Sequence, residues 1–131
     1  MKITTRTGKT NQVIEDQITG KMQTLLLRAG DQAAIIEAAT WLRRGYPVVF
    51  QTDTVYGMGV TPYEEASIER LYAVKGRPTS KGIPILLSDP VYLEMVAGAI
   101  PPAAHLLIER FWPGPLTIIV PRSAGLPDAL Q

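Results

Sequence analysis

Helical periodicity alternates with short apolar runs along most of this sequence, and this alternation restricts the folds that the chain can adopt. Asp31 is suited to cap a helix that Gly45 ends. Between them, apolar residues recur three and four positions apart, at Ile35, Ala38, Ala39 and Leu42. The run 47–51 has the β-branched and aromatic composition of a short strand. The alternation predicts an α/β layered domain.

Further elements follow by the same signals. Thr61 and Glu64 form a capping box with proline between them, which predicts a helix that ends at Lys75–Gly76. The apolar runs 83–87 and 116–120 predict buried strands. Asp89–Pro90 and Pro101–Pro102 open two more helices, and Trp112-Pro113-Gly114-Pro115 predicts a rigid turn. Residues 122–131 show no strong pattern.

Composition excludes several classes of function. The 13 basic and 12 acidic side chains give a net charge of +1, which excludes a strongly basic nucleic-acid arm. The lack of cysteine excludes thiol catalysis and thiolate zinc sites, and His105 alone cannot form a histidine-rich metal site. No apolar run reaches the about 20 residues of a membrane span or forms a signal peptide. We therefore expect a cytoplasmic protein without membrane association.

Cations are concentrated in one segment although the overall charge is nearly balanced. Residues 70–88 contain Arg70, Lys75, Arg77 and Lys81 and no acidic residue. Arginine offers a planar fork and lysine a mobile point charge, a pair suited to polyphosphate, and the order of residues is not that of a P-loop. The alternative is a helix end with solvated surface cations, which fits the residues equally well.

A second candidate segment carries hydroxyl groups. If residues 52–57 were extended, Thr52, Thr54 and Tyr56 would share one face beside a glycine bend, an arrangement that suits a small polar substrate. The β-propensity of these residues favours the plainer interpretation of a strand edge. Asp53 would be a base, a magnesium contact or, more commonly, a turn-forming group.

Three motifs occur in an order that resembles one known family. They are Thr-Asp-Thr-Val-Tyr-Gly-Met-Gly at 52–59, Lys-Gly-Arg-Pro at 75–78 and Phe-Trp-Pro-Gly-Pro-Leu-Thr at 111–117. Over residues 31–127 the chain is similar to the YrdC-like, threonylcarbamoyl-AMP synthase family. The resemblance implies a twisted mixed sheet with flanking helices and a concave basic surface.

The resemblance also implies an activity and its partners. Family members join ATP, L-threonine and bicarbonate into threonylcarbamoyl-adenylate and release pyrophosphate, with Mg²⁺ accompanying the ATP. Other proteins then transfer the threonylcarbamoyl group to an adenosine of certain tRNAs. Alternatives are a non-catalytic module that binds double-stranded RNA or tRNA, and a carbamoyl-transfer module of hydrogenase maturation.

Residue roles carry over by motif position. The resemblance assigns ATP contacts to Lys75, Arg77 and Lys81, with Ser80 as a weaker neighbour. It assigns a threonine contact to Thr54, with Thr52 and Tyr56 as wall residues. It assigns no catalytic residue and no protein metal site.

Two departures and one missing part bear on the expected site. Gln51 replaces a proline of the family, and Leu86 stands where some members have a threonine-contacting histidine. The family's Arg-x-Pro strand and Ser-Ala-Asn segment, which supply further contacts, do not occur in the printed sequence. Because these segments are missing, we expect residues 25–131 to be a domain truncated at its C-terminal side. We expect residues 1–24 to be an N-terminal extension.

Overall fold

A computed structural model of the chain describes residues 12–15, 23–52 and 54–130. The chain divides into two compact units, Met1–Trp41 and Leu42–Gln131. The predicted extension, residues 1–24, lies largely outside the described residues and stays a prediction. Within the described residues, no helix has the length and apolar character needed to cross a membrane.

The first unit contains a strand pair and most of the first helix. β1 (Gln12–Glu15) pairs antiparallel with β2 (Gln23–Leu26). α1 (Gln32–Arg43) begins as predicted, because the Asp31 carboxylate accepts a hydrogen bond of 3.0 Å from the amide of Ala33. The predicted apolar face is wrong in one position: Ala34 is buried, whereas Ile35 is 53% exposed.

The second unit begins with a hairpin. β3 (Val48–Gln51) pairs antiparallel with β4 (Tyr56–Gly59), and Phe50 lies opposite Gly57. A Cβ atom at Gly57 would lie 2.9 Å from the Phe50 ring. The glycine therefore lets the aromatic ring lie flat against the facing strand.

The second helix, α2 (Glu65–Lys75), starts later than the capping box predicts. Glu64 occupies the cap position without capping through its side chain, and its carboxylate accepts a hydrogen bond of 3.1 Å from the buried Ser67 hydroxyl instead. The predicted end is confirmed, since Gly76 adopts the left-handed conformation with φ of 57°.

Shorter helices complete the second unit. A 3-10 turn (Pro90–Tyr92) leads into α3 (Leu93–Val96), and α4 (Pro102–Phe111) begins at the Pro101–Pro102 pair. In the turn after α4, the Trp112 indole donates a hydrogen bond of 2.8 Å to the carbonyl of Leu116. The rigid turn predicted there is confirmed.

The two strands predicted at 83–87 and 116–120 are wrong for the described residues. Both segments alternate between partly buried and exposed side chains, as strands do, and Leu86 is 71% exposed. Neither segment has a hydrogen-bonded strand partner among the described residues. A ladder requires a neighbour that local sequence does not specify. The α/β class is confirmed with incomplete sheet structure: the described strands form two separate antiparallel pairs, one in each unit.

The hydrophobic core of the second unit joins α2, α3, α4 and the C-terminal segment. Its buried members are Ile68, Tyr72, Leu93, Val96, Ala97, Ile108, Leu126 and Leu130. Burying each large apolar side chain contributes about 1.5–3 kcal/mol. The segment 122–130, in which the sequence shows no strong pattern, thus supplies two core residues.

Candidate functional site

The cationic motif forms an exposed loop at the C-terminal end of α2, which we call the basic loop (residues 75–82). Lys75 is the last helical residue, and Gly76 turns the chain. The amide of Arg77 donates a hydrogen bond of 3.1 Å to the carbonyl of Tyr72. The amide of Lys81 donates a hydrogen bond of 3.0 Å to the carbonyl of Pro78. The backbone of the basic loop is therefore held by a helix cap and a tight turn.

Arg77 folds its guanidinium back onto the basic loop. Its Nε donates a hydrogen bond of 3.1 Å to the carbonyl of Lys81, and Nη2 donates a hydrogen bond of 2.9 Å to the carbonyl of Gly82. Two of the donor positions of the fork are thus engaged by the chain itself. The other Nη makes no hydrogen bond within the described part of the chain and can donate to a ligand.

Lys75, Ser80 and Lys81 present exposed side chains along the basic loop. Among the described residues, no carboxylate lies within ion-pairing distance of either lysine. The positive charge of the basic loop is therefore not neutralised by described neighbours, which is the electrostatic condition that an anionic ligand requires.

Arg70 lies outside the basic loop. Its guanidinium donates to the carbonyl of Gly45 and lies 4.9 Å from the centre of the Tyr46 ring. These contacts fix the segment after α1 against α2. The concentration of cations seen in the sequence thus combines one packing residue with three residues of the basic loop.

The hydroxyl ladder predicted over residues 52–57 is wrong, because the chain turns there instead of extending. The Thr52 hydroxyl accepts hydrogen bonds from the amides of Thr54 (3.3 Å) and Val55 (3.1 Å) and donates to the carbonyl of Val55. This turn joins β3 to β4. A threonine side chain that bonds its own backbone favours such a turn over an extended strand.

The three hydroxyl residues consequently differ in availability. Thr52 is engaged in the turn, whereas the Thr54 hydroxyl and the Tyr56 ring, 75% exposed, face solvent. Asp53 lies outside the described residues. Among the described residues, no hydrogen bond joins this hairpin turn to the basic loop.

A shallow apolar hollow of about 190 Å³ lies beside the segment that follows the basic loop. Its lining includes Tyr63, Ile85, Leu86, Leu87, Tyr92 and Val96, and none of the predicted ATP or threonine residues. Leu86 is thus placed at the mouth of a cavity, where the resemblance expects a substrate-contacting position.

The described residues contain no group of three or more histidine, aspartate or glutamate side chains that could hold a metal ion. The Tyr72 hydroxyl donates a hydrogen bond of 3.0 Å to the carbonyl of Lys81, a contact that the sequence pattern does not predict.

Comparison with protein-family models identifies the relatives of the chain. The model of Sua5, YciO and YrdC proteins, described as telomere recombination, matches residues 40–131. The chain belongs to this family. The matched range includes the hairpin turn, the basic loop and the Trp-Pro-Gly-Pro turn, so all three motifs of the resemblance lie inside it.

Three similar proteins share one name. The threonylcarbamoyl-AMP synthase of Pyrococcus abyssi (strain GE5 / Orsay) is 41% identical over 93 residues, which are 71% of this chain and 27% of that protein. The protein of the same name from Bacillus subtilis (strain 168) is 40% identical over 97 residues, 74% of this chain and 27% of the relative. That of Thiobacillus denitrificans is 34% identical, over 83% of this chain and 56% of the relative.

Solved structures agree with this relationship. The crystal structure of P. abyssi Sua5 complexed with L-threonine matches with a TM-score of 0.73 and 38% identity, over 76% of this chain and 29% of that one. A variant of the same protein matches equally well over 31% of its length. The chain thus spans from about a quarter to just over half of the relatives that it matches.

Proposed function

We propose that this chain forms part of a threonylcarbamoyl-AMP synthase. The observation that carries the proposal is the 41% and 40% identity with relatives named for that activity, which extends over more than two thirds of the chain. The likeness to a relative crystallised with L-threonine supports the same substrate.

The reaction joins two anionic reactants. The amine of L-threonine and bicarbonate form a carbamate and water, and a carbamate oxygen then attacks the α-phosphorus of ATP. The bond from that phosphorus to the bridging oxygen breaks, so that pyrophosphate leaves and threonylcarbamoyl-AMP remains. Such a step depends chiefly on positioning the reactants and stabilising negative charge.

The basic loop provides the cations for this task. We assign the triphosphate to Lys75, Lys81 and the free Nη of Arg77, with Ser80 beside them. The exposed lysines without described carboxylate neighbours support the assignment. We assign threonine to Thr54 and Tyr56, whereas Thr52 supports the turn that presents them.

Other components enter with the substrates. Mg²⁺ would be bound by the triphosphate, whose charge it partly neutralises. The product would pass to proteins that transfer the threonylcarbamoyl group to tRNA, and the reaction belongs in the cytoplasm, where ATP and tRNA occur together.

The proposal is tested by pyrophosphate release from the chain supplied with ATP, Mg²⁺, L-threonine and bicarbonate. Release should require both threonine and bicarbonate. By calorimetry, Lys75→Ala and Lys81→Ala should each weaken ATP binding about tenfold, since each removes a charge-assisted contact. Arg110→Ala, which removes an exposed cation from α4, should leave ATP affinity unchanged.

The alternative is a module that binds double-stranded RNA through the same cations. Salt-dependent RNA binding with neither ATP binding nor pyrophosphate release would favour it and would contradict the synthase assignment.

A further inference from the structure

One backbone carbonyl in the basic loop accepts two side-chain hydrogen bonds. The carbonyl of Lys81 receives the Tyr72 hydroxyl at 3.0 Å and the Nε of Arg77 at 3.1 Å. The adjacent carbonyl of Gly82 receives a second donor of Arg77 at 2.9 Å. The far end of the basic loop is therefore fixed by three hydrogen bonds from two side chains.

The two donors differ in how firmly they are held. Tyr72, a residue of α2, is 4% exposed and belongs to the core of the second unit. A buried tyrosine ring whose hydroxyl reaches a partner at the edge of the core is a rigid anchor, because the packed ring has little rotational freedom. Arg77 is exposed and reaches the same carbonyl from the surface.

We propose that Tyr72 is a positioning residue for the triphosphate, acting through the backbone of Lys81. Together with Arg77 it fixes the point from which the Lys81 side chain extends, so that the ammonium group samples a restricted region. This inference rests on the proposed function, because it takes the triphosphate as the ligand of the basic loop.

The flanking residues show why such an anchor matters. Gly76 and Gly82 lie near the two ends of the basic loop, and glycine loses more backbone freedom than other residues when it is ordered. If the loop were mobile before binding, ordering it would offset part of the electrostatic gain. The contacts of Tyr72 and Arg77 order the loop in advance. The main effect of Arg77 is then to shape the loop, with a direct phosphate contact from its free Nη.

The experiment removes the hydroxyl of Tyr72 and retains its ring. Tyr72→Phe should weaken ATP binding about three- to tenfold, the loss expected for one hydrogen bond that orders a binding loop. Affinity for AMP, which lacks the β- and γ-phosphates, should change less than about twofold by the same argument. Tyr92→Phe is the matched control, since Tyr92 is half exposed and its hydroxyl makes no hydrogen bond within the described residues.

A second measurement needs no ligand. Trypsin cannot cut the Arg77–Pro78 bond. Of the two bonds in the basic loop that it can cut, Lys75–Gly76 and Lys81–Gly82, the second reports on the order of the far end of the loop. Tyr72→Phe should accelerate cleavage after Lys81 severalfold at a temperature where the variant remains folded, and Tyr92→Phe should not.

Arg77→Lys tests whether the shape of the arginine fork matters to the basic loop or only its positive charge. It keeps one positive charge but lacks the fork that spans two carbonyls, so we expect it to accelerate tryptic cleavage and weaken ATP binding as Tyr72→Phe does. Full retention of ATP affinity by Arg77→Lys would overturn the role given to Arg77.

The outcomes for the inference and for the proposed function are distinguishable. If the wild-type chain binds no ATP, the proposed function fails and the positioning role fails with it, whatever the cleavage rates are. If wild-type binds ATP but Tyr72→Phe binds it equally well, the positioning role alone is overturned. Equal loss of ATP and AMP affinity would also contradict it, because a general loss of packing would affect both nucleotides.

Discussion

The Thr52 hydroxyl makes three hydrogen bonds in the turn between β3 and β4. Thr52 accepts from two amides and donates to one carbonyl, which satisfies backbone groups that a hairpin turn would otherwise leave to water. Thr54, two residues later, is exposed and makes no such bonds through its side chain to any residue that the structure describes. The two threonines of one motif therefore have different roles.

Replacing Thr52 should test this division. Thr52→Val keeps the β-branched shape but loses the hydroxyl, and we expect the free energy of unfolding to fall by about 1 kcal/mol. Thr52→Ser should recover most of the loss, because it restores the donor and acceptor. Urea denaturation measures both. Thr117→Val, at an exposed position, should change stability by less than about 0.5 kcal/mol. Equal stability of Thr52→Val and the wild type would show that the turn does not depend on the hydroxyl.

Residue types predicted the chemistry of the candidate site better than its geometry. The concentration of cations at 75–81 follows from sequence alone, and the structure places these residues on one exposed loop. The engagement of Arg77 with carbonyls, the anchoring by Tyr72 and the turn at Thr52 did not follow. Each depends on which backbone groups lie within about 3 Å once the chain has folded, and residue spacing does not encode that proximity.

Both long helices that precede the basic loop end at glycines in the left-handed conformation, but the two glycines have different surroundings. Gly45, after α1, has φ of 77° and is buried. A Cβ atom there would lie 2.8 Å from the Glu64 carboxylate and would also collide with the Ser67 hydroxyl. Gly76, after α2, has φ of 57° and open space around its Cα.

These surroundings predict unequal costs for the same substitution. Gly76→Ala should reduce the free energy of unfolding by about 1–2 kcal/mol, the cost of a left-handed alanine. Gly45→Ala should cost about 2–4 kcal/mol, because overpacking against Glu64 and Ser67 adds to the same backbone strain. Paired thermal and urea denaturation curves give the difference. A cost at Gly45 no larger than that at Gly76 would mean that the neighbouring side chains move aside freely.

Helix ends were predictable where the determinant is local. Asp31, Gly45 and Gly76 act through backbone groups a few residues away, and the structure confirms all three. The start of α2 was misplaced because Glu64 bonds Ser67 and does not close the capping box. The segments 83–87 and 116–120 have strand-like alternation but no described partner, and strand pairing is set by distant parts of a chain.

The C-terminal segment is tied to the core of the second unit by contacts between distant parts of the chain. The amide of Ser123 donates a hydrogen bond of 2.9 Å to the carbonyl of Val96. The amide of Gly98 donates a hydrogen bond of 2.8 Å to the carbonyl of Pro121. Arg122 donates to the carbonyls of Leu126 and Pro127 and pairs with Asp128 at 2.6 Å. These bonds curl the segment so that its leucines reach the core.

Because this segment is short and has no regular secondary structure, its packing is the sharpest test of the core as a whole. Leu126 is 4% exposed, and Leu126→Ala should lower the free energy of unfolding by about 2–5 kcal/mol through lost burial and an unfilled cavity. Ile119→Ala removes an apolar side chain with as many carbon atoms as that of Leu126, but from a position 96% exposed. It should lower the free energy of unfolding by less than about 0.5 kcal/mol. Leu126→Met, which conserves volume, should cost less than about 1.5 kcal/mol and keeps the comparison measurable if the alanine variant does not fold. Equal unfolding midpoints for Leu126→Ala and Ile119→Ala would mean that the C-terminal segment does not pack on the core in solution.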